Sequence, residues 1–409
     1  MKDSFDKYID ATRRTLSSNI APIHYKEHIK LALISARTVG IKLDIRLCYT
    51  SERRSEAVRH GHKDVVFIDQ YLGQTLSNLA RIVHESTSTA FALNYTAKMF
   101  AEHLRAHGKL REALVCARVH SQDDTKLRHL PKKGRRGASI FFQERFLVLH
   151  ETYHFILKEK PLLRHSVNEV IEDYFDFLRR SRAENQEIFG DDDPKILNML
   201  AADPDKLSIG LINEMVCDFF AFSVCVNSVS HGSKILGRDG KYLAAIGCLE
   251  ALKSSQVVNV IRDTARYYSR NEIDEASSNL QDVMHDYQVR GRFMNWLCNT
   301  EPRGVMRSDQ SLVEDIDSYL ENYHDKLGVV AFTICEAILD GKFEDIFSAD
   351  VEFVDGLLSS DQVDLNNSSE VIDVMTNWLP QERPLIEKLQ KNEGESSSKY
   401  IKRLRQMLK

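Results

Sequence analysis

The sequence predicts a mainly α fold with a small β-sheet, of the α+β class. Three observations lead there. Pro and Gly are scarce, 8 and 18 in 409 residues, so long uninterrupted helices are favoured. Residues 41–49 alternate apolar and polar, the pattern of a half-buried strand, and 64–69 read as a second short strand. From Gly240 onward the apolar residues recur at helical spacing in segment after segment. Apolar residues make up 43% and charged ones 28%, with a net charge of −5. That balance gives no argument for nucleic acid. The start of the chain lacks the apolar core of a secretory signal, and no run of 18 apolar residues is present, so neither export nor a membrane span is expected. Seven cysteines, odd in number and never spaced Cys-x-x-Cys, read as reduced thiols of a cytoplasmic protein.

In chain order, residues 3–20 and 24–38 read as helices. The strand 41–49 follows, then a polar loop containing His60-Gly-His62, then the strand 64–69. One long helix is expected from Leu72 to His107, closed by Gly108. Residues 110–121 are ambiguous between helix and strand. Six basic residues around Pro131 and Gly134, in 126–136, form a solvated loop or an anion-binding loop over the site. Residues 137–142 read as a last short strand. Beyond it come helices at 141–158, 162–182, 195–202, 207–229, 241–253, 255–270, 274–298, 309–323, 326–340, 367–378 and 381–391. A Ser-rich spacer precedes a basic amphipathic helix, 399–409, packed on its own domain or docked to an anionic surface.

The helix 141–158 organises the rest. It is strongly apolar, yet His150-Glu151-Thr152-Tyr153-His154 sits in its middle. Histidines four apart share one helix face, so both imidazoles can reach one metal ion. Glu151 stands where a water-activating base would stand. His-Glu-x-x-His arises by accident roughly 0.04 times in a chain of this composition, so structural context must support it. The pairs His24/His28 and His103/His107 lack the glutamate and lie in polar stretches. They read as solvated helix faces. His84-Glu85, with Ser88 where a second histidine would be, reads as accidental.

A catalytic zinc takes three protein ligands and keeps one position for water. Two helical segments can supply the third. Glu214 and Asp218 interrupt a helix that is apolar nearly all round, where two carboxylates need a strong partner. Small Cys217 and Ala221 beside them permit close approach. The competing group, Glu169 and Asp173, lies on a more polar helix with Glu172 and Asp176, which reads as a solvated face. Glu214 is favoured as ligand, and Asp218 as the group holding a ligand histidine by its other N–H.

His150-Glu-x-x-His154 followed by Glu214-x-x-Cys-Asp218-x-x-Ala221 resembles the gluzincin branch of zinc metallopeptidases. It is similar to the group containing prenyl-protein proteases and short soluble zincins that cleave repressors. The resemblance covers two helices, and more weakly the strand 65–69 with Leu72 and Leu76. It implies a zincin-like metallopeptidase core with Zn2+ held by His150, His154 and Glu214, Glu151 as base, and Asp218 behind the ligands. The expected organisation is N-terminal helices 1–40, the core 41–235, and an all-helical domain 236–409 that regulates it or binds a partner. The expected substrate is an intracellular protein or peptide. His231, Tyr153, Tyr267 and Tyr268 are the candidate donors to an oxyanion. The alternative is a non-catalytic helical scaffold or sensor with a structural metal.

Overall fold

The structure is a computed structural model that describes residues 15–16, 23–49, 53–60, 63–86, 88–122, 135–183, 209–232, 237–299, 318–360 and 362–379. Helices dominate it and one small sheet accompanies them. The sheet comprises Thr15–Leu16 (β1), Asp44–Tyr49 (β2), Glu56–His60 (β3) and Lys63–Asp69 (β4), in the order β1-β2-β4-β3. β2 and β4 are parallel, from Asp44↔Val65 to Cys48↔Asp69, and β3 lies antiparallel to β4 at one edge. Two expectations are corrected by the sheet. Thr15–Leu16 belongs to a strand where a helix was expected. β3 occupies part of the expected loop and pairs antiparallel with β4, from Glu56↔Phe67 to His60↔Lys63.

Asp69 ends β4 and begins the next helix, Gln70–Glu85 (α2). Its carboxylate caps the helix by accepting from Tyr71 N at 2.8 Å, and its other oxygen accepts from Arg54 N at 3.1 Å. The same residue therefore starts a helix and fixes the 53–55 segment leading into β3. The single helix expected over 72–107 is two, α2 and Ala90–Ala106 (α3). Ser86 Oγ donates to Ser88 O and accepts from Ser88 N, a local turn that competes with helix continuation. Leu110–Ser121 (α4) resolves the ambiguous segment as helix.

Arg135–Glu159 (α5) absorbs the expected strand 137–142. Ser139 and Gln143, one turn apart on α5, both donate to the buried Glu250 carboxylate, and only helical spacing brings them to one acceptor. Leu162–Ala183 (α6) and Ile209–Gly232 (α7) follow. Gly237–Arg270 (α8) is one helix of 34 residues, not two. The Ser254-Ser255 pair that looked like a break lies inside it, with Ser254 Oγ 2.6 Å from the Tyr323 hydroxyl. Ile273–Asn299 (α9) packs beside it. A π-helical turn at His324–Gly328 leads into Val329–Leu339 (α10). Phe343–Ile346 (α11), Ser348–Ser359 (α12) and Ser368–Trp378 (α13) complete the described chain. The first two of these were not foreseen. The expected helices 195–202 and 381–391, the helix 399–409 and nearly all of the basic segment 126–136 lie outside the described residues.

α5 is the central layer. Phe142, Phe146, Leu149 and Ile156 share one apolar core with Val66 and Ile68 of the sheet, Cys217 and Phe222 of α7, and Leu249 of α8. A second core joins α2, α3 and α4 to the far half of α8 and to α10, α12 and α13. Residues after 236 thus share a core with the central helix. By length and composition alone α7 could cross a membrane. It packs against α5, α6, α8 and α9 and carries two acidic side chains toward them. All seven cysteines are free thiols and buried.

Candidate metal centre

α5 and α7 lie side by side, and their polar residues meet. His150 Nε2 is 3.2 Å from His154 Nε2 and 3.2 Å from Glu214 Oε2, and His154 Nε2 is 3.4 Å from Glu214 Oε1. His150, His154 and Glu214 each offer a ligand atom within 4.8 Å of the others. His150 Nδ1 lies 2.9 Å from Asp218 Oδ1, so the ring presents Nε2 to the cluster as the sequence predicts. Cys217 Sγ is 3.4 Å from His154 Nδ1. The favoured set therefore converges. Glu169 and Asp173 do not: both lie on α6, away from the cluster, as do the exposed Glu172 and Asp176.

One member was missed. Arg290 of α9 donates to both oxygens of Asp218, through Nε at 2.7 Å and Nη2 at 3.0 Å, and its Nη1 is 3.1 Å from Glu214 Oε2. In the sequence it is one arginine among several of a polar-looking helix, and nothing marks it. Its effect is electrostatic. Burial would raise Glu214 and Asp218, but Arg290 and His150 outweigh it and hold both below the usual carboxylate range. Burial works against a charge on His150 as well, yet Asp218 and Glu214 lift it to about 10. Burial and the neighbouring His150 push His154 to about 4. Two ionised carboxylates against one guanidinium leave a deficit of one positive charge, which a proton on His150 makes good. Burial lifts Glu151 to about 7.

The cluster opens on a cleft of about 510 Å³. His150, Glu151, His154 and Glu214 line one part of it, Arg53 to Ala57 a second, and α8 and α9 a third. Of the foreseen oxyanion donors, Tyr153, Tyr267 and Tyr268 are not among the described residues of its wall. Tyr153 stacks on Phe220 with centroids 4.9 Å apart, Tyr267 accepts from Asn279 at 2.9 Å, and Tyr268 stacks on Phe343. The side chain of His231 lies outside the described residues. Tyr287 lines the cleft instead, its hydroxyl bonded by Asn259.

No family model matches this chain. Nor does any curated protein or solved structure match it significantly. The chemistry of the cleft has to be read from its own geometry. Ligands about 2.0–2.1 Å from a tetrahedral zinc stand about 3.3–3.4 Å apart along each edge. The 3.2 Å between the two imidazoles fits that figure; Glu214 approaches His150 through Oε2 at 3.2 Å and His154 through its other oxygen, Oε1, at 3.4 Å, and the donor set, two imidazoles and a carboxylate, suits zinc.

The remaining histidine readings need correction. His28 and His103 were expected on solvated faces. His28 is fully buried, with Nε2 3.7 Å from Glu144 Oε2, and His103 is 2% exposed. His107 is exposed. His84 lies 2.6 Å from Glu250, and Glu85 pairs with Arg81, so that dipeptide is part of the packing.

Proposed function

We propose that this protein is a zinc-dependent metallopeptidase of zincin type that hydrolyses peptide bonds in a protein or peptide substrate. The observation carrying this is the convergence of ligand atoms from His150, His154 and Glu214, within 4.8 Å of one another, beside Glu151 in one cleft. A bound zinc would polarise the scissile carbonyl and lower the pKa of its water to about 7. Asp218 holds the His150 ring with Nε2 forward, and Arg290 holds Glu214 and Asp218. Glu151 accepts the proton of the attacking water and hands it to the leaving amine. An extended substrate can lie along β3, an edge strand whose first residues line the cleft, with its backbone paired as an added strand.

Metal content by elemental mass spectrometry, with peptide hydrolysis, tests the reading. The expected outcome is about one zinc per chain in wild type and Glu169→Ala, and none in His150→Ala or Glu214→Ala. Glu151→Gln should keep zinc and lose hydrolysis. The ion pairs of Arg290 with both carboxylates are what favour the second reading, a non-catalytic cluster. Zinc bound by the wild type with no hydrolysis of any peptide would give it the place of the first; no zinc uptake, or a Glu151→Gln variant that still hydrolyses, would overturn the first as stated.

A further inference from the structure

We propose that the α8 wall of the cleft is a carboxylate-recognising subsite, built on Arg262 and Ser255, that selects substrates carrying an acidic group near the scissile bond. Calling its ligand a substrate rests on the peptidase reading above; the subsite itself does not.

Leu252, Ser255, Asn259 and Arg262 all line the cleft. Their spacing of three, four and three puts them on one face of α8. That face turns polar along its length, from Leu252, which packs with α5, to Arg262. Two of its donors are unused among the described residues. The Ser255 hydroxyl and Arg262 Nη1 are buried and without a hydrogen-bond partner among the described residues. Buried donors normally find acceptors, and leaving a charged one unmet costs more than a neutral one. Both side chains line the cleft, so a small turn of either would let an acceptor on a ligand there meet its donor. Asn259 uses its amide on the Tyr287 hydroxyl, and the rest of the wall stays available.

The surrounding charge has the sign a carboxylate needs. Arg262 Nε and Nη2 each lie 3.2 Å from an Asp263 oxygen, but Arg266 Nη2 is 3.7 Å from the same carboxylate. Two guanidiniums therefore share one acid. Arg53 repeats the pattern: it pairs with Glu102, which also sits 3.6 Å from Lys98 Nζ. Arg53 is 3% exposed and lines the cleft. Its backbone has φ 49, a left-handed conformation that a non-glycine residue adopts only when its surroundings hold it. The contacts to Thr75 and Glu102 hold it there. Buried His103 feels both basic groups. Burial, then Arg53 and Arg262, push it well below its ordinary value, so it adds no charge but reports the positive field.

A carboxylate can come from an Asp or Glu side chain or from the C-terminus of a peptide. The probes are short acetylated peptide libraries with one degenerate position, made as C-terminal amides and as free acids. Cleavage by zinc-loaded wild type is profiled by mass spectrometry. Binding to Glu151→Gln is followed by fluorescence anisotropy. The expected result is a preference of about 10-fold or more for the carboxylate, lost in Arg262→Gln, partly kept in Arg262→Lys and weakened in Ser255→Ala. Preference for Asp or Glu in amides identifies the side chain as its source; preference only for free acids identifies the terminus. Equal selection by wild type, Ser255→Ala and Arg262→Gln overturns the subsite while leaving the peptidase reading intact. Carboxylate-dependent binding without any cleavage keeps the subsite and removes the peptidase reading.

Discussion

At the residue scale Arg290 governs how the metal cluster behaves when no metal is bound. Its guanidinium is the counter-charge to Asp218, fully buried in the packing of α5, α7 and α9, and to Glu214, which keeps about a third of its side chain open to the cleft. Removing one partner of such a group leaves buried charge unpaired, at about 3–5 kcal/mol. Arg290→Met should therefore lower the unfolding free energy by that order in urea titrations with chelator present. Saturating zinc should recover part of the loss, since a cation again faces Glu214. A variant as stable as wild type in chelator would mean the guanidinium is not the counter-charge. Asp218 acts differently, by fixing which nitrogen His150 presents. Asp218→Asn can accept from His150 only in one amide orientation and carries no charge. Zinc affinity should fall about 10- to 100-fold, read by competition with a chromophoric chelator. Unchanged affinity would show that Asp218 merely fills space.

At the element scale the decisive event is the crossing of α5 and α8. Gly247 of α8 permits it: a Cβ there would stand 2.6 Å from Phe142 Cβ and 2.8 Å from the Ser139 carbonyl oxygen. Gly247→Ala must push the helices apart and should cost about 1–3 kcal/mol, although alanine is the better helix former. A stabilised variant by calorimetry would show that the crossing yields freely. α5 also carries Glu144, enclosed near Tyr25 and His28, which burial raises to about 8. A folded value above the unfolded one near 4.5 means that the unfolded chain releases its proton first. Stability is then full below about pH 4.5 and falls toward pH 8, by up to about 1.4 kcal/mol per unit. Glu144→Gln should flatten that slope in urea midpoints between pH 5 and 8; an unaltered slope would assign it to other groups. These features mark where the sequence is silent. The His-Glu-x-x-His helix and the Glu214 helix were legible because charged groups break long apolar periodicity, a local signal. Glu250 meeting Ser139, Gln143, His84 and Tyr319 is non-local, and it is what turns 137–142 from a strand into helix. His28 and His103 misled for the same reason: polar sequence neighbours hid buried tertiary ones.

At the scale of the whole molecule the question is where the part holding the cleft ends. Composition and motifs place the candidate metal ligands before 235 and nothing comparable after it, which makes 236–409 look separable. Packing runs the other way. α8 shares the core of α5 and α7, α9 supplies Arg290, and both supply the cleft wall. Helical periodicity cannot reveal this, because an apolar stripe records that it is covered and not by which helix. A chain ending at residue 235 would expose Phe142, Phe146 and Cys217 where α8 now lies, and would leave Glu214 and Asp218 without their counter-charge. It should be insoluble, or show no cooperative thermal transition by circular dichroism. A chain ending at residue 299 keeps every residue lining the cleft and loses α10 to α13. Those helices, with the π-helical turn before them, cover α2, α3 and α4 through Leu327, Ala331, Ile334 and Val371. This longer piece should still bind zinc but melt at lower temperature than the full chain. A folded 1–235 fragment that binds zinc as tightly as the full chain would show that the centre is complete without α8 and α9, and that residues 236–409 are an attachment to it.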